Sequence, residues 1–305
     1  MKYIFLGTAD FSVAILEKMM SDFFYPELVI SQPDKPVGRE KIIQKTPIKE
    51  ICEHHNLRCL QPEKISDALE EIKKIQPDLI VTAAYGQIIP DEILNTAKFG
   101  AINVHTSLLP KYRGSSPIQT AIANGENETG ITIMLMDEKM DHGPILYQKK
   151  VDIEDDETGL SLFNKLAHVG ADTLPKIIPD FLKGKIRSKP QNHEEATFTK
   201  IIKKNDVKIN WNKTAIENDR FVRAYYDWPI AWTVLPDGKR LKIYKAEHVK
   251  EMHEPGKILI DKNKTLIGCD KGSLSLIEVQ VEGSKVISAE QFFTGYSKFN
   301  DHSCK

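Results

Sequence analysis

Cysteine is scarce in this chain. Its four thiols, Cys52, Cys59, Cys269 and Cys304, show no C-x-x-C spacing and no paired-histidine partner, which argues against both a disulfide framework and a zinc site. No metal is expected, and the thiols read as reduced and structural. Long apolar runs are lacking too. None approaches the ~20 residues of a membrane span, and the start, MKYIFLGTADFS, has no extended apolar h-region. The expectation is a cytoplasmic protein with no membrane partner. Several nucleotide and hydrolase signatures are also missing. Gly7-Thr8-Ala9-Asp10 stands where a dinucleotide fold carries G-x-G-x-x-G, and there is no P-loop, G-x-S-x-G or H-E-x-x-H.

Nor is charge of one sign in excess. The 305 residues carry 42 Lys+Arg against 43 Asp+Glu, a formal net charge of -1. This near-neutrality conceals a division. Residues 1–195 hold 23 basic and 29 acidic side chains, whereas residues 196–305 hold 19 and 14, so the C-terminal third carries a net +5. With 41% hydrophobic and 28% charged residues, the composition is that of a globular protein, and the length favours two domains.

What is present alternates. Apolar runs at 2–6, 27–30, 78–83 and 101–104 are separated by helical patterns at 10–19, 47–55 and 66–74, the first capped by Thr8 or Asp10. Buried strands alternating with amphipathic helices predict a mainly parallel sheet covered on both faces, with the ligand crevice beyond the strands' carboxyl ends. Two further strands, 131–136 and 145–148, flank a polar loop. A helical pattern from 160 to 182 carries Pro175 and Pro179, which predict a kink or an interruption. A Gly-, Pro- and charge-bearing stretch follows. Beyond it come one helix at 214–225 and short strands at 231–235, 241–244, 257–260, 266–269 and 274–281, the pattern of a small barrel or sandwich. The boundaries expected are a catalytic domain at 1–183, a linker at 184–205 and a C-terminal domain at 206–305.

Three stretches carry candidate chemistry. In Asn103-Val104-His105, residues two apart on a strand project to one side, which places an amide donor beside an imidazole that titrates near neutral pH. Turn chemistry at a strand end accounts for the same pattern. Next, Ser107-Leu108-Leu109-Pro110 opens a loop stiffened by proline. Its apolar wall and exposed backbone groups suit a flat heteroaromatic ligand, or its leucines plug the core. Third, Gly130 to Gly143 brings Asp141 onto a glycine-flanked loop. Its carboxylate either fixes the tautomer of His105 or belongs to a plain turn.

The order and spacing of these three stretches resemble the folate-dependent formyltransferases. Gln32 to Arg39, Ala84 to Pro90, Ser116 to Gln119, Val222 to Ala224 and Trp228-Pro229 narrow the resemblance to members that act on an aminoacylated tRNA. It implies an α/β Rossmann-like formyltransferase domain with a mainly parallel sheet, followed by a smaller OB-like β-barrel. It further implies transfer of a formyl group from 10-formyltetrahydrofolate to the α-amine of methionyl initiator tRNA in translation initiation. By the same resemblance Asn103, His105 and Asp141 match the family's catalytic trio, and Ser107, Leu108, Leu109 and Pro110 match its folate-contacting segment. The protein is expected to be a monomer.

Residues 33–49 hold Lys35, Arg39, Lys41, Lys45 and Lys49 against Asp34 and Glu40. Such a loop suits phosphate contacts, and in the family a loop here engages the acceptor end of the tRNA. Lys35, Arg39, Lys41 and Lys45 are its candidate tRNA-binding residues. A solvated lysine-rich loop is the plain alternative. Two rival functions share much of this pattern: a nucleotide amino-sugar formyltransferase, and an RNA-binding protein that keeps the fold without the chemistry.

Overall fold

The computed structural model describes residues 1–38, 40–261 and 264–304. The chain packs as two units. The first comprises Met1–Gly114, Glu128–Asp152 and Phe163–Thr199, and the second Ser115–Asn127, Ile153–Leu162 and Lys200–Lys305.

In the first unit, strands β1 (Tyr3–Gly7), β2 (Leu28–Ile30), β5 (Cys59–Leu60), β6 (Leu79–Ala83), β7 (Ala101–His105), β9 (Glu128–Leu135) and β10 (Ile145–Asp152) form one sheet in the order β10-β9-β7-β6-β1-β2-β5. Between β2 and β5 lie β3 (Lys35–Val37) and β4 (Ile42–Gln44), and after β7 comes β8 (Arg113–Gly114). The strands from β7 through β5 are parallel. β9 runs antiparallel to β7, across a connection that carries α5 (Pro117–Asn124), and β10 runs antiparallel to β9, to which a loop without a helical crossover joins it. β1 and β6 are buried at every residue, as a sheet covered on both faces requires. Helices α1 (Asp10–Ser21), α2 (Pro47–His54), α3 (Leu69–Ile75) and α4 (Asp91–Leu94) fill the connections. A core of Ile4, Leu6, Leu28, Ile30, Ile72, Ile80 and Ile93 lies against one face.

Several local expectations change. The N-cap of α1 is Ala9, with no side-chain cap bond. The Thr8 hydroxyl instead donates to the Tyr85 carbonyl at 2.9 Å. The basic stretch at 33–49 is a hairpin at its centre, with Lys35 paired to Gln44 and Val37 to Ile42. Helix α6 (Gly159–Leu182) runs through both prolines without interruption. Its buried Leu166, Leu174 and Ile178 hold the apolar face in place across the two missing backbone bonds.

The stretch expected as a linker is bonded to the first unit as far as Thr199. Ile145 and Lys189 exchange backbone hydrogen bonds of 2.7 and 2.8 Å, and β11 (Phe198–Thr199) pairs in parallel with β8. Low apolar content marks this segment as exposed but is silent on its backbone pairing, which any sequence can supply. Residues 115–127 and 153–162 also depart from the expected boundary at 183. They pack within the second unit, where Arg223 Nη1 donates to the Glu157 carbonyl at 2.8 Å. A Cβ on Gly159 would stand 2.4 Å from the Ala224 carbonyl oxygen, so only glycine fits there.

In that unit, β12 (Trp232–Val234), β13 (Arg240–Val249), β14 (Ile258–Asp261), β15 (Lys264–Gly268), β16 (Ser273–Val281) and β17 (Val286–Ser288) make an antiparallel sheet. β16 pairs with β15 through its first residues and with β17 through its last, so the sheet curls into the half-barrel expected of an OB-like domain. Helices α7 (Ala215–Ala224) and α8 (Ala289–Tyr296) belong to it. α7 starts with a full capping box between Thr214 and Glu217. Its core gathers Trp211, Leu241, Ile243, Leu276 and Phe292.

Candidate active site

β7 ends in Asn103-Val104-His105 next to β6. The Thr82 hydroxyl on β6 donates to Asn103 Oδ1 at 2.8 Å. With its oxygen accepting, the amide's NH2 is its donor group. His105, 6% exposed, donates from Nε2 to the Tyr112 carbonyl at 3.0 Å, because a carbonyl can only accept. Nδ1 is thereby left facing Asp141 Oδ1 at 3.5 Å, too long for a hydrogen bond and short enough for a charge pair. The other carboxylate oxygen of Asp141 accepts the Gly114 N–H at 2.7 Å. Residues 103, 105 and 141, separated in sequence, are thus brought together as expected from their order.

The segment Ser107 to Pro110 is held in place by hydrogen bonds to β9, β10 and its own backbone. Thr132, fully buried on β9, donates its hydroxyl to the Ser107 carbonyl at 2.6 Å and accepts from Leu109 N–H at 3.1 Å. Gln148 donates to the Leu109 carbonyl at 2.8 Å, and the Ser107 hydroxyl to the Lys111 carbonyl at 2.7 Å. Ser107 and Leu109 are buried with these groups committed to the protein, whereas Leu108 and Pro110 remain partly exposed. Thr132, two residues after Gly130, is what shapes this loop.

The loop after β9 is rigid for visible reasons. Asp137 accepts from Lys139 N–H at 3.0 Å and pairs with His142 Nδ1 at 2.7 Å. A Cβ on Gly143 would stand 2.0 Å from the Leu135 carbonyl oxygen, so only glycine lets the chain turn back there. Asp137 and His142 also line a cavity of about 360 Å³ with Asp91, Leu94, Asn95, Met136, Glu138 and Lys139. Met136, which lines this cavity, has its sulfur 3.3 Å from the Thr82 hydroxyl.

The rings of His142 and His193 stack in parallel at 4.0 Å. His193 Nδ1 accepts from Arg113 Nη2 at 2.8 Å, which requires an unprotonated nitrogen. Desolvation, then the neighbouring His142 and Arg113, hold its pKa below the ordinary 6.5. Because the folded value is depressed, this interaction favours the fold above the ordinary histidine range and is lost as pH falls through the folded value. An NMR titration of His193 is expected to give a midpoint below 6.5; a midpoint at or above it would contradict the arrangement.

The base of the 33–49 hairpin is pinned. Asp34 Oδ1 accepts from Thr46 N–H at 3.2 Å and from Gln61 Nε2 at 2.6 Å. Gln32 Nε2 reaches the Tyr85 carbonyl at 2.8 Å, and a Cβ on Gly86 would stand 2.5 Å from that same nitrogen. The Gln32 to Arg39 and Ala84 to Pro90 stretches meet here. Lys35 donates to Gln32 Oε1 at 2.9 Å and Lys45 pairs with Glu53 at 2.6 Å, while Lys41 is exposed. Arg39 lies outside the described residues. Two residues of the site are not legible in the motifs, Thr82 and Gln191. Thr82 carries no signal beyond its place on a buried strand, and Gln191 sits in the stretch taken for a linker.

A donor amide, an imidazole and a carboxylate thus meet at the carboxyl end of β7 in a Rossmann-like sheet. The formyl transferase family model matches residues 1–178, and the model of the formyl transferase C-terminal domain matches residues 201–297. A methionyl-tRNA formyltransferase from Halalkalibacterium halodurans is 44% identical over 301 residues, covering 97% of this chain and 95% of the relative. One from Bacillus cereus is 44% identical over 300 residues, covering 96% and 95%. The chain belongs to the methionyl-tRNA formyltransferase family. Among solved structures, the sugar 3N-formyltransferase WlaRD shares the fold with a TM-score of 0.68 at 22% identity, covering 93% of this chain and 99% of that one. HypX from Aquifex aeolicus, in complex with tetrahydrofolic acid, does so at 0.66 and 16%, covering 98% of this chain and 48% of its own length. Among the described residues no helix is long and apolar enough to cross a membrane.

Proposed function

We infer that Asn103, His105 and Asp141 carry the reaction by which this chain transfers the formyl group of 10-formyltetrahydrofolate to the α-amine of methionyl initiator tRNA. The observation that supports this most is the convergence of an oriented amide, an imidazole and a carboxylate, all within the first unit.

The neutral amine attacks the formyl carbon, forming a C–N bond and a tetrahedral oxyanion. Asn103 NH2 and the Nδ1–H of a doubly protonated His105 face that oxyanion as fixed donors, each worth about 3–4 kcal/mol at the transition state. Nε2–H stays on Tyr112, so Nδ1 is the working nitrogen. Asp141 balances the imidazolium and takes the proton leaving the amine, directly or through water. Collapse of the oxyanion then breaks the bond to the folate nitrogen, which picks up a proton. Leu108 and Pro110 offer an apolar edge to the donor, and the cavity at Met136 to His142 is its place beside the trio.

The hairpin lysines 35, 41 and 45 give phosphate affinity and orientation rather than base readout. Replacing all three with alanine is expected to weaken tRNA binding and to flatten its dependence on salt by roughly 2–3 in the log–log slope. A filter-binding series across salt concentrations checks this, and unchanged affinity and slope would remove the hairpin from tRNA recognition. The function itself is tested by offering labelled formyl donor with charged initiator tRNA or with nucleotide amino sugars. Label on the methionyl amine is expected; label on the sugar, or on neither acceptor, contradicts the reading.

A further inference from the structure

Gln191 has an unusual position for a residue in a stretch of low apolar content. It is buried to 6% exposure, and both ends of its amide are occupied. Nε2 donates to the Asp141 carbonyl at 2.9 Å and to the Gly143 carbonyl at 2.7 Å. Oε1 accepts from Arg113 Nε at 3.2 Å and Nη2 at 2.7 Å. Only a side chain with two donors and one acceptor serves both partners.

The partner Arg113 is itself placed between the groups that hold the trio. The carbonyl of Tyr112 receives His105, and the N–H of Gly114 donates to the Asp141 carboxylate. Arg113 is 4% exposed, and burial lowers its pKa. Its backbone N–H donates to the Thr197 carbonyl at 2.8 Å, Tyr112 N–H donates to the Thr197 hydroxyl at 2.8 Å, and the Thr199 hydroxyl donates to the Arg113 carbonyl at 3.1 Å. A Cβ on Gly114 would stand 2.5 Å from the Thr199 carbonyl oxygen, so the segment lies as close as backbone allows. Residues 189–199 form a strap, fixed at one end by the Ile145–Lys189 bridge and at the other by the β8–β11 pairing.

We propose that Gln191 is a positioning residue for formyl transfer: it holds the Asp141 backbone against Arg113, so that the carboxylate stays beside the His105 imidazolium and within reach of the amine in the transition state. Reactive groups displaced by about 1 Å lose on the order of 10²-fold in rate, and the 3.5 Å separation of Asp141 and His105 depends on where the backbone at 141 is held. The proposal rests on the catalytic reading of Asp141 and His105.

The test compares Gln191→Glu and Gln191→Leu with Asp141→Asn in the full-length protein. Gln191→Glu keeps the size and the Arg113 contact but turns a carboxylate toward two carbonyls. Both Gln191 variants are expected to lose about 10- to 100-fold in kcat with KM for donor and tRNA within about twofold. The Gly114 amide, released from Asp141, is expected to exchange with deuterium faster than in the wild type. Gln191→Glu keeps the test valid if Gln191→Leu does not fold. Normal kcat in a folded Gln191 variant, alongside a slow Asp141→Asn, overturns this proposal alone. Normal turnover in Asp141→Asn overturns the catalytic reading beneath it. A lower melting temperature with unchanged kcat and unchanged Gly114 exchange shows a purely structural role and also overturns the proposal.

Discussion

Asp141→Asn is expected to lower kcat by about 10³-fold while leaving the fold intact. The substituted amide is nearly isosteric, and its oxygen continues to accept the Gly114 N–H that Asp141 accepts at 2.7 Å. Its NH2 then points at His105 Nδ1, where the carboxylate oxygen stands at 3.5 Å. Two donors cannot face each other, so Nδ1 gives up its proton while Nε2–H remains on the Tyr112 carbonyl. The ring is then neutral and can no longer donate to the oxyanion. The proton leaving the amine also loses its acceptor. His105→Ala removes the same donor outright and is expected to cost a comparable factor. Steady-state kinetics with both substrates varied check this, together with a thermal melt showing that the variants fold.

Gly143→Ala is expected to act on stability and on turnover together. The new Cβ would stand 2.0 Å from the Leu135 carbonyl oxygen and 3.4 Å from the Asp137 nitrogen. Leu135 cannot retreat freely, because its N–H donates to the Pro144 carbonyl at 2.9 Å and it is paired with Ile102. Overpacking of this kind costs about 1–3 kcal/mol. The strain falls on the loop whose carbonyls at 141 and 143 share one glutamine amide, so Asp141 moves with it and kcat falls. Urea unfolding reads the first effect and initial rates the second. Wild-type values in both would show that the close approach is not a constraint.

The sheet was legible in the sequence because its strands are buried on both faces and read as apolar runs, as in Tyr3 to Leu6 and Leu79 to Val81. The residues proposed as catalytic were legible where motif order marks them. Asn103 and His105 lie two apart on one strand, and Asp141 follows on a glycine-bounded loop. What supports them was not legible. Thr82 and Gln191 act through one hydrogen bond or one amide across 21 and 50 positions of chain, and nothing in their neighbours announces it. The strap at 189–199 was hidden for a related reason. Its backbone pairing with β8 and Ile145 needs no apolar pattern, and its polar side chains read as a linker. Pro175 and Pro179 misled in the opposite sense, since local propensity for a break is overridden where the helix face is buried.

The near-neutral total charge hides two parts, an acidic excess up to residue 195 and a net +5 beyond it. The lysines expected to meet tRNA phosphates lie on the pinned hairpin of the first unit, apart from the trio in sequence. Chemistry and affinity are therefore separable by mutation.

The central claim is that Asn103, His105 and Asp141 accelerate the transfer step itself. Its most direct test is a single-turnover rapid-quench measurement on Asp141→Asn, with formyl donor and charged initiator tRNA both bound before mixing is complete. A transfer step slowed by about 10³-fold, with wild-type dissociation constants for both substrates, is the predicted result. A wild-type transfer rate, or a loss confined to substrate binding, would contradict it.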